Sequence, residues 1–340
     1  MCYNRGNMNN DTAMEVRHDS SPNLPLIAYF VTTAALWAFY LYMTFGAPLS
    51  QVSVERYGLT PMSAFWLRLS IAAPILVYWS LGLYAAIHLN AYVRKIGPGE
   101  GSAPVRSLAR GVFIIVMGVI LGAAVGSIRQ YFPLTEPGNE GIIKLLVILG
   151  NYISVGFPLA AFVFIWRGTK SFMTNELAQA KDIVRKYTPV FLFASAVISA
   201  SYIFLALANP NRQMNLVPSM PATYYLPDWL IVASILLPYV VIWTLGLLSA
   251  FNIVVYSQKV SGLIYRKFLN NLVYGILMII VFYIFLQFLS TIGYYLQDFF
   301  KEKGLAPVLY FIYFILFLQA LGFIFLARGA KKLKEIETTL

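Results

Sequence analysis

The side chains able to do chemistry in this chain are few, and most sit where polar groups are costly. Arg68 lies one turn into a long apolar stretch, and Asp228 stands at the start of another. An ionisable group at membrane depth marks a candidate functional position, because burying it there costs about 2.5–3.5 kcal/mol even on the mildest scale. Together Arg68 and Asp228 would form a charged mouth that selects a ligand, although a long basic side chain at a helix end also simply snorkels to the interface. Lys144 opens a further apolar stretch. Deeper in the apolar segments stand three amides, Asn151, Gln287 and Gln319. Buried amides ordinarily bond across helices, and Asn151 or Gln287 lining a hydrated crevice is the ligand-binding alternative. His88 and Asn252 fall near the ends of two apolar stretches, as interfacial hydrogen-bonding groups.

Much familiar chemistry has no sequence support. There is no H-E-x-x-H zinc helix and no G-x-x-x-x-G-K-[ST] phosphate loop. Neither a G-x-S-x-G elbow nor a pair of intramembrane aspartates is present. One cysteine, Cys2, and two histidines offer no metal set or bis-histidine haem site, so no metal and no cofactor is expected. No chain of midplane acids suits a proton pump, and no arginine-studded segment suits a voltage sensor. The acids Glu55, Glu136, Glu140, Asp298 and Glu302 lie between apolar stretches. Two of them could pair as acid and base, which leaves a membrane-embedded enzyme as the third choice.

The elements that must position these groups are long apolar helices. The chain is 59% hydrophobic and 11% charged, with mean hydropathy +0.70; a soluble chain carries about 25% charged residues. Eight stretches approach the roughly 20 residues a spanning helix needs: Pro25–Gly46, Ala64–Leu89, Gly111–Ile128, Ile142–Trp166, Pro189–Ala208, Trp229–Tyr256, Leu272–Tyr295 and Ala306–Ala327. The expected fold is therefore an all-α integral membrane protein with eight transmembrane helices. The first 24 residues are polar and lack the pattern of a cleaved signal peptide. Basic residues crowd every second linker: Arg94, Lys95, Arg106 and Arg110; Arg167 to Lys186; Lys259, Arg266 and Lys267; and the final tail. Lysine and arginine favour the cytoplasmic side. This predicts a multi-pass protein of the cell membrane with both termini cytoplasmic. It also accounts for the net charge of +11 as a matter of topology and anionic headgroups rather than nucleic acid.

The sequence also repeats itself. Pro74, Trp79, Gly82, Ala86, Tyr92 and Lys95 recur 164 positions later as Pro238, Trp243, Gly246, Ala250, Tyr256 and Lys259. An even number of spans per copy makes the repeats parallel. The expected layout is a cytoplasmic tail (1–24), a first four-helix repeat (25–170), a linker (171–187), a second four-helix repeat (188–334) and a short tail (335–340). Trp79 with Gly82, and Trp243 with Gly246, share a helix face and read as packing devices. Pro74 and Pro238 read as paired kinks. Gly118, Gly122 and Gly126 form a small-residue stripe whose counterpart in the second copy reads Phe282, Leu286 and Ser290, so the third span can approach a neighbour closely and the seventh cannot do so in the same way.

Two functions stay close in weight. One is a permease or channel-like subunit for a neutral or amphipathic small solute, motivated by the duplication, the kinks and the amides. The other is a non-catalytic scaffold or accessory subunit, motivated by the shortage of intramembrane charge. The lipid bilayer is the expected partner in both, with a membrane protein or a second copy of the chain beside it.

Overall fold

The structure is a computed structural model that describes residues 24–46, 60–96, 103–129, 131–132, 138–176, 178–208, 236–259, 263–295 and 305–339, with isolated positions 229 and 233. The described residues form eight long helices: α1 Leu24–Gly46, α2 Pro61–Ile96, α3 Ala103–Arg129, α4 Glu140–Glu176, α5 Ala178–Ala208, α6 Leu237–Lys259, α7 Leu263–Tyr295 and α8 Leu305–Thr339. All eight are long and apolar enough to cross a membrane.

Several helices overrun the apolar stretch that nucleates them. The 36 residues of α2 span about 54 Å at 1.5 Å each, against a hydrocarbon core of about 30 Å. The excess is amphipathic and basic, and Arg94, Arg167, Lys170, Arg328 and Lys331 are exposed on it. Segment 171–187 is helical wherever it is described, with α4 running to Glu176 and α5 starting at Ala178. Pro189 consequently lies inside α5, as Pro74 lies inside α2 and Pro158 inside α4. Pro238 is the second residue of α6, directly after π-helical backbone at Ala233 and Leu236.

Side-chain packing closes six of the helices into a ring. Going round, α2 packs on α3, α3 on α4, α4 on α6, α6 on α7, α7 on α8, and α8 back on α2. Helix α1 lies outside against α2, and α5 lies outside against α6. The α2–α8 and α4–α6 contacts are parallel: Ser70 meets Tyr313 and Gly82 meets Phe323, while Tyr239 meets Ser154 and Gly246 meets Phe162. The other ring contacts are antiparallel.

Glycines set the closest approaches, as expected where lipid removes the hydrophobic drive for helices to associate. A Cβ on Gly82 would lie 2.9 Å from Val116 and 3.0 Å from Phe323. One on Gly246 would lie 2.5 Å from Ile280 and 3.1 Å from Phe162. The α3 stripe is used unevenly. A Cβ on Gly118 would fall on Phe157, Gly122 has an ordinary contact at 3.8 Å with Ile153, and Gly126 has nothing within 4 Å. Helix α7 also approaches its neighbour closely, but through a different glycine from the positions matching the α3 stripe. Gly275 faces Gly322 of α8, and a Cβ on either would come within 3.2 Å of the other's carbonyl oxygen.

Candidate ligand-binding site

The polar groups of the interior converge on one stripe of α6. Tyr239, Trp243, Gly246 and Ala250 are spaced i, i+4, i+7 and i+11 and so share a face. Tyr239, Trp243 and Ala250 are buried. Because Gly246 has no side chain, Phe162 and Ile280 pack against the helix directly below Trp243.

Four neighbouring helices complete the cluster. From α4, Ser154 lies beside the Tyr239 hydroxyl. From α5, the Tyr202 ring meets Trp243 edge-on at 5.1 Å between centroids. The Tyr202 hydroxyl donates to Gln287 Oε1 of α7 at 3.1 Å. Phe288, also of α7, lies 26° from parallel to Trp243 at 6.2 Å. Tyr283 of α7 lies within electrostatic reach of Tyr239 and of Tyr78 on α2, and both Tyr283 and Tyr78 are buried. Trp243 Nε1 is fully buried and has no hydrogen-bond partner among the described residues. An indole can only donate, and leaving such a donor unmet costs about 1–3 kcal/mol.

Beside this cluster, exposure changes along α4. Ser154 shares a stripe with Pro158, Ala161 and Ile165, and those three are buried. Ser154 is nonetheless exposed. Burial on this side of α4 thus ends at Pro158, and Ser154, one turn further toward the end of the bundle opposite its basic residues, is exposed. Gln287 is half-buried at a similar depth.

The first half carries a plainer version. Tyr40 meets Trp79 edge-on at 4.9 Å. The Trp79 indole lies close to the Tyr78 hydroxyl without the geometry of a hydrogen bond. Each half also ties its outside helix to a hydroxyl. Trp37 of α1 donates to Ser80 at 3.0 Å, and Ser195 of α5 bonds Thr244 at 2.8 Å. Ser80 and Thr244 both donate to the carbonyl four residues earlier.

Of the residues singled out by sequence, the structure brings some into this region. Arg68 is half-buried on the α2 stripe of Ala72, Ile75 and Trp79, so it faces inward near the end opposite the basic residues. Asp228 lies outside the described residues, as do the side chains of Asn151 and Lys144. Gln287 bridges helices as described, and Gln319 is buried. Asn252 is buried and reaches Thr169 of α4 at 3.5 Å, while His88 packs on Tyr84 at 4.2 Å. The sequence reading passed over Ser154, Tyr78, Tyr239 and Tyr283. The available signal was a tyrosine four residues before Trp243 on its packing face. Among the described residues no group of three His, Cys, Asp or Glu side chains could hold a metal. Compared with known proteins, the chain matches no protein family, no curated protein and no solved structure.

Proposed function

We propose that this chain is a multi-pass membrane protein of two parallel four-helix halves, and that it is a permease or channel-like subunit for a neutral or amphipathic small solute. The observation that carries the function is the polar cluster where α4, α5, α6 and α7 meet, beside the exposed Ser154 of α4, whose described members are hydroxyl, amide and indole groups with no carboxylate, lysine, arginine or histidine among them. Hydroxyl, amide and indole groups bind neutral solutes without the cost of burying a charge.

The duplication is supported by equivalent contacts. Gly82 sits between α3 and α8, and Gly246 sits between α7 and α4. The spacing of matched residues is 164 in α2/α6 and α3/α7, as for Val116 and Ile280. In the fourth helices it becomes 161. There Phe162, Phe164, Arg167, Gly168 and Lys170 correspond to Phe323, Phe325, Arg328, Gly329 and Lys331. Phe162 of one half then lies against Gly246 of the other, and Phe323 against Gly82, as a two-fold relation requires. On this layout the basic helix ends are cytoplasmic and the Ser154 end of α4 faces outward.

The scaffold reading has its own observation. Helices α1 and α5 stand outside the ring with exposed Phe30, Val31, Phe193 and Phe204, and lipid or a partner helix would cover these equally. The two readings separate in proteoliposomes. A permease admits neutral solutes faster than protein-free vesicles, in an osmotic swelling assay, and Arg68→Ala changes that rate. Swelling identical to empty vesicles across a graded series of neutral solutes would refute the permease and leave the scaffold.

A further inference from the structure

We infer that the cluster around Trp243 is a binding site for a neutral, ring-bearing solute that presents a carbonyl-type oxygen to the Trp243 indole. The assignment names the solute class for the path proposed above and rests on that reading.

The chemistry follows from what is already engaged. The Tyr202 hydroxyl gives its proton to Gln287 Oε1, and the Tyr239 hydroxyl has Ser154 beside it. Trp243 Nε1 is the buried group left unmet among the described residues of this cluster. The missing complement is thus an acceptor and not a donor. The rings against Trp243, those of Tyr202, Tyr239 and Phe288, are aromatic, which favours edge-to-face or offset contact with another ring. Among the described residues that form the cluster there is no carboxylate, lysine, arginine or histidine, so a charged ligand would be buried without a partner from them. The site belongs to the second half alone. At the matching positions of the first half, Tyr239, Tyr283 and Gln287 are replaced by Ile75, Val119 and Ala123.

The test uses the full chain in detergent, with 4-fluoroacetanilide as a neutral carbonyl-bearing ring and 4-fluoropropylbenzene as a similarly shaped ring without an acceptor. Binding is read from fluorine NMR line broadening. The amide should broaden saturably and be displaced by unlabelled acetanilide. Trp243→Phe should weaken it about tenfold, the worth of one hydrogen bond to a buried donor. Trp79→Phe should leave it unchanged. Equal binding of the acceptor-free ring, non-saturating broadening, or equal loss in both tryptophan variants would overturn the site. The acceptor comparison uses the unmodified protein, so misfolding of a variant cannot obscure it. Flux of the same amide into proteoliposomes keeps the two proposals apart. Trp243-dependent binding without flux refutes the permease and leaves the site; flux without Trp243-dependent binding does the reverse.

Discussion

Replacing each glycine of the α3 stripe by alanine should give three different outcomes from one chemical change. All three variants gain the same helix propensity, about 0.8–1.0 kcal/mol in favour of alanine. What differs is the space. At Gly118 the new methyl falls on Phe157 Cβ, an atom fixed to the backbone of α4 that no rotamer change removes. Overpacking of that kind costs about 1–3 kcal/mol. At Gly122 the nearest atom is Ile153 Cγ2 at 3.8 Å, and at Gly126 nothing lies within 4 Å. Gly118→Ala should therefore be neutral to about 2 kcal/mol destabilising. Gly122→Ala and Gly126→Ala should be stabilising by up to about 1 kcal/mol. The propensity gain cancels in the difference between Gly118→Ala and Gly126→Ala, which isolates a steric cost of about 1–3 kcal/mol. Reversible unfolding in mixed detergent micelles reads this directly, with thermal melting as a check. Three equal shifts, or the largest loss at Gly126, would refute the α3–α4 packing described here.

Two other outcomes follow from named contacts. Tyr202→Phe removes the donor to Gln287 between α5 and α7 and should cost about 0.6 kcal/mol, at most about 1.7, the range for interhelical hydrogen bonds in membranes; no loss on unfolding would show that the bond contributes nothing. Cys2 is the sole cysteine, so a membrane-impermeant maleimide should label it in inside-out vesicles and not in right-side-out ones. A cysteine added after Leu340 in a Cys2→Ser background should behave in the same way, and opposite labelling of the two ends would contradict an even number of crossings.

The eight helices were legible because twenty apolar residues in a row have few other uses. Their ends were less so. Basic and polar residues past the apolar stretch carry no hydropathy signal, yet residues such as Arg94 and Lys170 continue the helix. Segment 171–187 reads as a linker for the same reason, although α5 begins at Ala178. The uneven use of Gly118, Gly122 and Gly126 depends on which α4 residues stand opposite, which spacing within α3 cannot reveal. The matched fourth helices were obscured by a three-residue change of offset. Read at 164, Lys170 pairs with Lys334 and the Phe-x-Phe-x-x-Arg-Gly-x-Lys pattern disappears; read at 161 it aligns at five positions. At the candidate site Gln287 was found from its amide. Its partners were not, because tyrosines in membrane proteins usually belong to the interface. Tyr239 and Tyr283 instead turn into the ring, where their hydroxyls have neighbours from other helices.

The most direct test of a solute path inside the ring is the reactivity of Ser154→Cys in a Cys2→Ser background. Ser154 lies on the buried stripe of α4 and is still exposed. If water reaches it, the thiolate can form, and a membrane-impermeant maleimide should label it in right-side-out vesicles. The account predicts labelling there, slowed by neutral ring amides, with Ala161→Cys about two turns deeper left unreactive. An unreactive residue 154 in intact, folded protein would contradict an aqueous opening onto the Tyr239 and Trp243 cluster.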